Sequence, residues 1–384
     1  MFPIQNYHGL PKPEPAALAH SERLRERIRT VIDAAGGAIA FSRYMQMALF
    51  EPGLGYYSAG AVKFGAEGDF ITAVDQGDFL ARAIVATLMP RLAAYDSPVI
   101  VELGAGTGKL ADDILRLLDE RGLDRVAYRI LEPSADLRAR QLRSLAARRT
   151  RVEWIDRLDP ACCSGAIIAN EVVDALPVDR ITRTRSGWQQ LAVALEGEKF
   201  CWHAKPLDAT QQACIDSICA RLSEPLPEGF TTEIRPLLPA WIRSLCAALV
   251  GGDILLVDYG FSRREYFHPQ RDAGTLMCHY RHRAHGNPFL FPGLQDITAW
   301  VDFSDCADAA RAAGMQLAGY ATQGSWIAEA LQDDPLLAEG LDFTQAASLR
   351  TLLLPGEMGE RFKALLLSTD PAAALCGRDL RARL

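Results

Sequence analysis

A chain of 384 residues with 49% hydrophobic residues and a mean hydropathy of zero can bury a large core, as one elaborated domain or two. Its formal charge of −7 excludes a protein that grips nucleic acid through a general basic face. No apolar run approaches the roughly 20 residues of a membrane span, and the nine cysteines form no C-x-x-C pair, reading as reduced thiols rather than a disulfide framework.

The opening stretch Met1–Tyr7 has no basic or apolar leader character and is not an Arg- and Ser-rich presequence. The sequence therefore puts the protein in the cytoplasm by default. Prolines 3, 11, 13 and 15 predict an irregular arm over 1–20. Ser21 then caps a helix to Ala35 with Leu24, Ile28, Val31 and Ile32 as its apolar stripe. A second helix spans Ile39–Leu49. The glycine- and aromatic-rich stretch through Tyr56-Tyr57 and Gly68-Asp69-Phe70-Ile71-Thr72 has the density of a ligand-covering loop.

From Asp78 a helix runs to Ala94, and strands at 98–103, 127–132, 151–155 and 166–169 follow, the first three separated by helices at 108–120 and 134–147. Strands alternating with helices of this length imply a parallel, doubly wound α/β sheet. After Pro177 the period changes to two. Segments 180–185, 188–195 and 199–204, joined by Ser186-Gly187 and Glu196-Gly197, predict an antiparallel insertion. Helices at 208–222 and 236–249 precede a buried strand at 253–259. Helix 304–313, strand 315–322, helices within 324–353 and a strand at 362–367 close the core. This gives four segments. They are an N-terminal arm, helices and loop capping the cleft (1–80), a cofactor-binding half (81–177), an antiparallel β insertion plus helix (178–230), and a second core half with a loop-rich insertion at 260–303 (231–384).

The chemistry centres on Val99–Leu110. An apolar strand ends in Glu102-Leu103, then Gly104-Ala105-Gly106-Thr107-Gly108 leads into a helix. Such a loop admits a ligand close to the backbone, with the helix amides beyond it. The dinucleotide fingerprint needs a third glycine one residue later. The shorter G-x-G-x-G resembles the first motif of class I S-adenosylmethionine methyltransferases, whose loop curls around a methionyl group and an adenosine. Glu132, ending the next strand, can accept both ribose hydroxyls. Asp156 follows the third strand, where adenine contacts commonly fall. The cofactor set is thus Glu102, Gly104, Ala105, Gly106, Gly108, Glu132, Asp156 and Asn170.

Asn170-Glu171-Val172-Val173-Asp174 follows the fourth strand and points at the same crevice. Asn170, Glu171 and Asp174 are the catalytic candidates; the competing reading makes Asn170 and Asp174 turn and cap residues. His279, His282 and His285 recur every three residues, but no acidic or cysteine partner sits at ligand spacing, so no metal is assigned.

Beyond these, Gly55-Tyr56-Tyr57, Gly68–Thr72, Val101–Gly108, Asn170–Pro177, Leu256–Gly260, Gly274-Thr275-Leu276, Tyr280–Arg283 and Gln295–Thr298 stand in the order of one family. The chain resembles the MidA-like S-adenosylmethionine-dependent methyltransferases. The resemblance implies a Rossmann-like class I methyltransferase core with an N-terminal helical cap and antiparallel insertions. It implies methyl transfer to a protein arginine, a protein partner such as a respiratory complex I subunit, and Tyr57, Asp69, Thr72, Asp258, Tyr259 and His282 as substrate-binding residues. Ala73-Val74-Asp75 replaces the family's usual Pro-Glu, and Trp300 a common histidine. A small-molecule O- or N-methyltransferase and a non-catalytic cofactor-binding assembly factor are the alternatives.

Overall fold

The computed structural model describes residues 9–58 and 72–384. The chain divides into two compact units. The sheet unit comprises Ile71–Val173, Leu238–Ser262 and Val301–Leu384; the insertion unit comprises Met1–Phe70, Asp174–Leu237 and Arg263–Trp300.

Seven strands organise the sheet unit: β1 Val99–Leu103, β2 Ala127–Leu131, β3 Val152–Ile155, β4 Cys163–Asn170, β5 Leu249–Phe261, β6 Gln316–Thr322 and β7 Phe362–Ser368. They lie in the order β6-β7-β5-β4-β1-β2-β3. All neighbours from β5 to β3 are parallel, and β7 runs antiparallel to both β5 and β6. The apolar runs Val99–Val101 and Leu365–Leu367 belong to strands covered on both faces, where alternation is not needed. Helix Lys109–Glu120 buries Leu110, Ile114, Leu117 and Leu118, three and four residues apart, in a core shared with Ile84, Leu88, Ile100 and Ile168. The mostly parallel, doubly wound sheet expected from the sequence is the one present.

The insertion unit has helices Pro15–Ala34 and Phe41–Phe50 and two antiparallel sheets. One runs 38–39, 187–196, 179–184, 231–234, with 199–206 paired to 187–196. The other runs 283–285, 277–280, 296–298. Leu24, Ile28, Tyr44, Val193, Cys278 and Ile297 meet in its core.

Several boundaries differ from the sequence reading. The first helix begins at Pro15, not Ser21, because proline at the first helical position gives up only an amide that has no partner there. Ser21 is buried inside that helix. Strand β5 extends beyond 253–259 on both sides, held by β4 and β7. The region read as loop-rich carries a hairpin, Met277–Tyr280 with Arg283–His285.

Candidate functional site

In the sheet unit the strand order reverses beside β1, since β2 lies on one side and β4 on the other. Ligands of open α/β sheets bind beyond the carboxyl ends of strands at such a switch point. Leu103 of β1 is in register with Ala169 of β4, so Gly104 and Asn170 emerge from the same end. The two loops adjoin: a Cβ on Gly104 would stand 3.4 Å from Val172 Cγ2.

Gly104, Gly106 and Gly108 all take left-handed φ values, 63°, 52° and 84°. Gly108 also lies so close to Ser144 that a Cβ would stand 2.9 Å from its hydroxyl. At Gly106 a Cβ would meet no atom of the described residues within 4 Å. The Gly108 amide donates to Ala105 O at 2.8 Å, closing the turn.

Gln141 is a residue that sequence reasoning missed. Its amide, fully buried, donates to Gly106 O and to Glu132 Oε2, each at 3.0 Å, and its oxygen accepts from Trp154 Nε1 at 2.9 Å. One side chain thus joins the glycine loop, the acid after β2 and the aromatic of β3. Glu132 is buried and also accepts from the Ser134 amide at 2.9 Å, which fixes its carboxylate through a two-residue turn. Glu102 is buried as well and accepts from the Tyr128 hydroxyl at 2.8 Å. Burial pushes its carboxyl up to about 7; the Tyr128 hydrogen bond opposes this and the charge of Glu132 adds to it. Asp156 does not join this buried set. Its side chain is 87% exposed and pairs with Arg138 at 2.7 Å.

Beyond β4, the Asn170 Oδ1 is buried and has no hydrogen-bond partner among the described residues, while its amide lies 3.5 Å from Glu171 Oε1. Glu171 has a φ of 52°, a conformation that costs a non-glycine residue about 1–2 kcal/mol and persists only where the surroundings impose it. They do so here: the Glu171 amide donates to Val257 O at 2.9 Å, and Asp258 accepts from the Val173 amide at 3.0 Å. Asp258 therefore braces the loop, using its other oxygen on the Tyr259 amide. The Tyr259 ring packs edge-on against Phe362. Thr72 closes the short turn Ala73–Asp75, its amide and hydroxyl both donating to Asp75; the departure from the family's Pro-Glu thus makes its own cap.

Asp174, Tyr57 and His282 belong to the insertion unit, and Asp69 lies outside the described residues. The Tyr57 hydroxyl donates to Asp296 Oδ1 at 3.0 Å. Asp174 is buried, and its carboxylate accepts from the Ala175 amide at 2.8 Å. His282 and Arg281, with φ of 60° and 46°, form the exposed turn of the 277–285 hairpin. Arg235 and Asp296 were given no role from sequence. The buried Arg235 guanidinium donates to the carbonyls of Trp300 (2.8 Å), Asp174 (3.4 Å) and Ala299. Among the described residues no group of three or more His, Cys, Asp or Glu could hold a metal ion, and no helix is long and apolar enough to cross a membrane.

A mostly parallel sheet with one antiparallel strand along its seven-strand path, a glycine loop at its switch point and an acid ending the next strand defines a class I methyltransferase. A sequence model described as S-adenosyl-L-methionine-dependent methyltransferase matches residues 79–321. The chain belongs to this MidA-like methyltransferase family, and its cofactor is S-adenosyl-L-methionine. A superfamily member from Burkholderia thailandensis, solved bound to S-adenosyl-homocysteine, is 39% identical with a TM-score of 0.87, over 96% of this chain and 99% of that one. A native structure from the same organism is 38% identical with a TM-score of 0.87, over 98% and 100%. The protein arginine methyltransferase NDUFAF7 homolog, mitochondrial, of Drosophila melanogaster is 27% identical over 95% of this chain and 90% of its own length. The Danio rerio protein arginine methyltransferase NDUFAF7, mitochondrial, is 27% identical over 86% and 83%. These names overturn the cytoplasmic assignment. Composition, reduced thiols and lack of a membrane span are demands that any reducing compartment makes alike, so they could not single out the cytoplasm.

Proposed function

We propose that the enzyme methylates an arginine side chain of a protein, with a respiratory-complex subunit as the acceptor that the family resemblance suggests. The observation that carries this reading is the loop after β4, where Glu171 is held in a strained conformation beside the Asn170 oxygen, which is unpartnered among the described residues. The relatives' names as protein arginine methyltransferases support the choice of acceptor.

Bound S-adenosyl-L-methionine supplies a methyl group activated on a sulfonium. The residues fit it: Gly104, Ala105, Gly106 and Gly108 open the backbone to the methionyl and adenosine parts. Glu132, oriented by Ser134 and Gln141, takes the ribose hydroxyls. The buried Asn170 oxygen is an acceptor awaiting a donor, which the cofactor's amino group can provide. Glu102 stands behind the loop and adds negative potential when ionised. Asp156 has no part in this inner set and is left at most a rim contact.

An arginine is a poor nucleophile, because its guanidinium is delocalised and stays protonated to a pKa above about 12. Carboxylates that bind some of its N–H groups draw the positive charge toward them and leave another nitrogen's electron pair for the methyl carbon. Glu171 and Asp174 do this in the proposed reaction. They align the nitrogen in line with the carbon–sulfur bond at about 3–3.5 Å. The nitrogen–carbon bond forms as the carbon–sulfur bond breaks, its electrons remain on sulfur, and the nitrogen then releases one proton to a carboxylate. Tyr57, Thr72, Asp258, Tyr259, His282 and Asp69 remain the proposed acceptor-side residues. Asp258 acts there through the loop it braces.

The test is turnover of Glu171→Gln, using labelled cofactor, cell extract and mass spectrometry of the labelled product. A fall in kcat on the order of 10²-fold or more, with S-adenosyl-homocysteine affinity retained, is the expected outcome. Undiminished turnover would remove Glu171 from the mechanism, and a label on a small molecule would replace the protein acceptor.

A further inference from the structure

We propose that Gln141 is a positioning residue that sets how strongly the enzyme selects a ribose over a deoxyribose in its cofactor. It does so without touching the sugar, by fixing the carboxylate of Glu132 through an amide that is shared with the glycine loop. The inference rests on the ribose reading of Glu132 above and adds the residue that governs its selectivity.

Gln141 lies on the helix Ala135–Ser144, and the residues four positions to either side of it, Leu137 and Leu145, are buried. Leucine would continue that apolar stripe, yet a fully buried glutamine interrupts it. A buried amide is tolerated where its hydrogen bonds are met. Here the partners permit one orientation. The Gly106 carbonyl and the Glu132 carboxylate accept, so the amide nitrogen faces both, at 3.0 Å from each. Trp154 Nε1 can only donate, so the amide oxygen faces it at 2.9 Å. Turned over, the side chain would set its oxygen against a carbonyl and a carboxylate. Arg149 lies over the Trp154 ring, 5.5 Å from its centroid, and steadies that donor in turn.

One oxygen of Glu132 is fixed from its own turn, by the Ser134 amide at 2.9 Å, and the other by Gln141. The two bonds together set the plane of the carboxylate. The helix also reaches the loop a second time, where Ser144 Oγ donates to Thr107 O at 2.8 Å, next to the carbonyl that Gln141 holds. Ser144 bonds the loop; Gln141 bonds the loop and the acid. Removing the Ser144 hydroxyl therefore disturbs the loop. Removing the Gln141 amide also lets the carboxylate turn, and a bond to a sugar hydroxyl weakens steeply as its angle departs from linear. Loss of Gln141 should thus act on the ribose hydroxyls beyond its effect on the rest of the nucleoside.

The experiment is calorimetry on the full-length protein with S-adenosyl-homocysteine and with its 2′-deoxy analogue. Wild type is expected to prefer the ribo compound by about tenfold or more, as a site built to bond a hydroxyl does. Gln141→Met, which keeps a similar volume without the amide, should lower that preference to about threefold or less. Ser144→Ala should weaken both compounds alike and leave the preference at its wild-type value. Trp154→Phe takes away only the donor that orients Gln141 and should lower the preference about twofold to threefold. Thermal unfolding of each variant establishes that it is folded. An unchanged preference in folded Gln141→Met overturns the inference. So does an equal fall in Ser144→Ala, which would assign the effect to the loop as a whole. If Gln141→Met does not fold, Trp154→Phe decides, and an unchanged preference there overturns the inference. Failure of the underlying reading looks different. If wild type shows no preference, or Glu132→Gln keeps it, the ribose reading of Glu132 falls and this inference with it. If Glu132→Gln loses the preference while Gln141→Met keeps it, only the role of Gln141 falls.

Discussion

The two units of this protein are built for function in different ways. In the sheet unit the glycine loop is one contiguous stretch, Glu102–Gly108, and its main partners Glu132 and Gln141 follow within 33 residues of Gly108. In the insertion unit the polar groups that meet, Tyr57, Asp174, Arg235 and Asp296, come from segments spread over 239 residues. The first arrangement is imposed by a backbone: positive-φ glycines and a strand end leave few solutions. The second is imposed by side-chain hydrogen bonds between distant segments, and each of those bonds can be removed singly. Local backbone geometry should therefore fail in small steps and the long-range network in large ones.

The largest effect is expected at Arg235→Met. Three carbonyls lose their buried donor together, so stability should fall by about 3–5 kcal/mol in denaturant unfolding, and Arg235→Lys should recover part of it. A loss below 1 kcal/mol would mean that water replaces the guanidinium and the contrast between the units is overstated.

Gln141→Leu comes next. It strands the Gly106 carbonyl and one Glu132 oxygen, which costs about 2–3 kcal/mol and should appear as weaker S-adenosyl-homocysteine binding in calorimetry. Unchanged affinity would show that the glycine loop holds its shape without the hub. Gly106→Ala should cost about 1–2 kcal/mol through its left-handed φ, since no atom of the described residues crowds the added methyl. A larger loss of ligand affinity than of stability would mean that the methyl enters space used by the cofactor.

The smallest effect concerns pH. The folded-state pKa of Glu102, raised from 4.5 to about 7, makes its protonated form the stabilised one. Its contribution is complete below the unfolded value and is lost as pH rises through the folded one. The ligand-free protein should thus lose on the order of 2–4 °C in Tm between pH 5 and 8 relative to Glu102→Gln. Parallel curves for the two proteins would exclude Glu102 as the titrating group.

Much of the sheet unit was legible because its signals are local. Apolar runs covered on both faces, helical periodicity and the G-x-G-x-G loop each report on their own neighbourhood. Glu132 is found by its place at a strand end. Gln141 carries no such signal: it sits on a polar helix, and nothing within one turn of it distinguishes a buried amide from a solvated one. Asp156 shows the converse: a strand-end acid whose side-chain direction the sequence does not give. Its strand-end position is right, yet Arg138, on the intervening helix, draws the side chain outward.

The amino-acid sequence by itself determined the alternation of strands and helices, the glycine turn, the acids at the strand ends and the family that combines them, because each is fixed by backbone preference and burial over a few residues. Only the tertiary structure decided that Glu171 is strained, that Asn170 keeps an oxygen unmatched among the described residues, that Asp258 braces a loop, and that Tyr57 meets Asp296. Those facts depend on hydrogen bonds between groups whose separation along the chain says nothing about their separation in space.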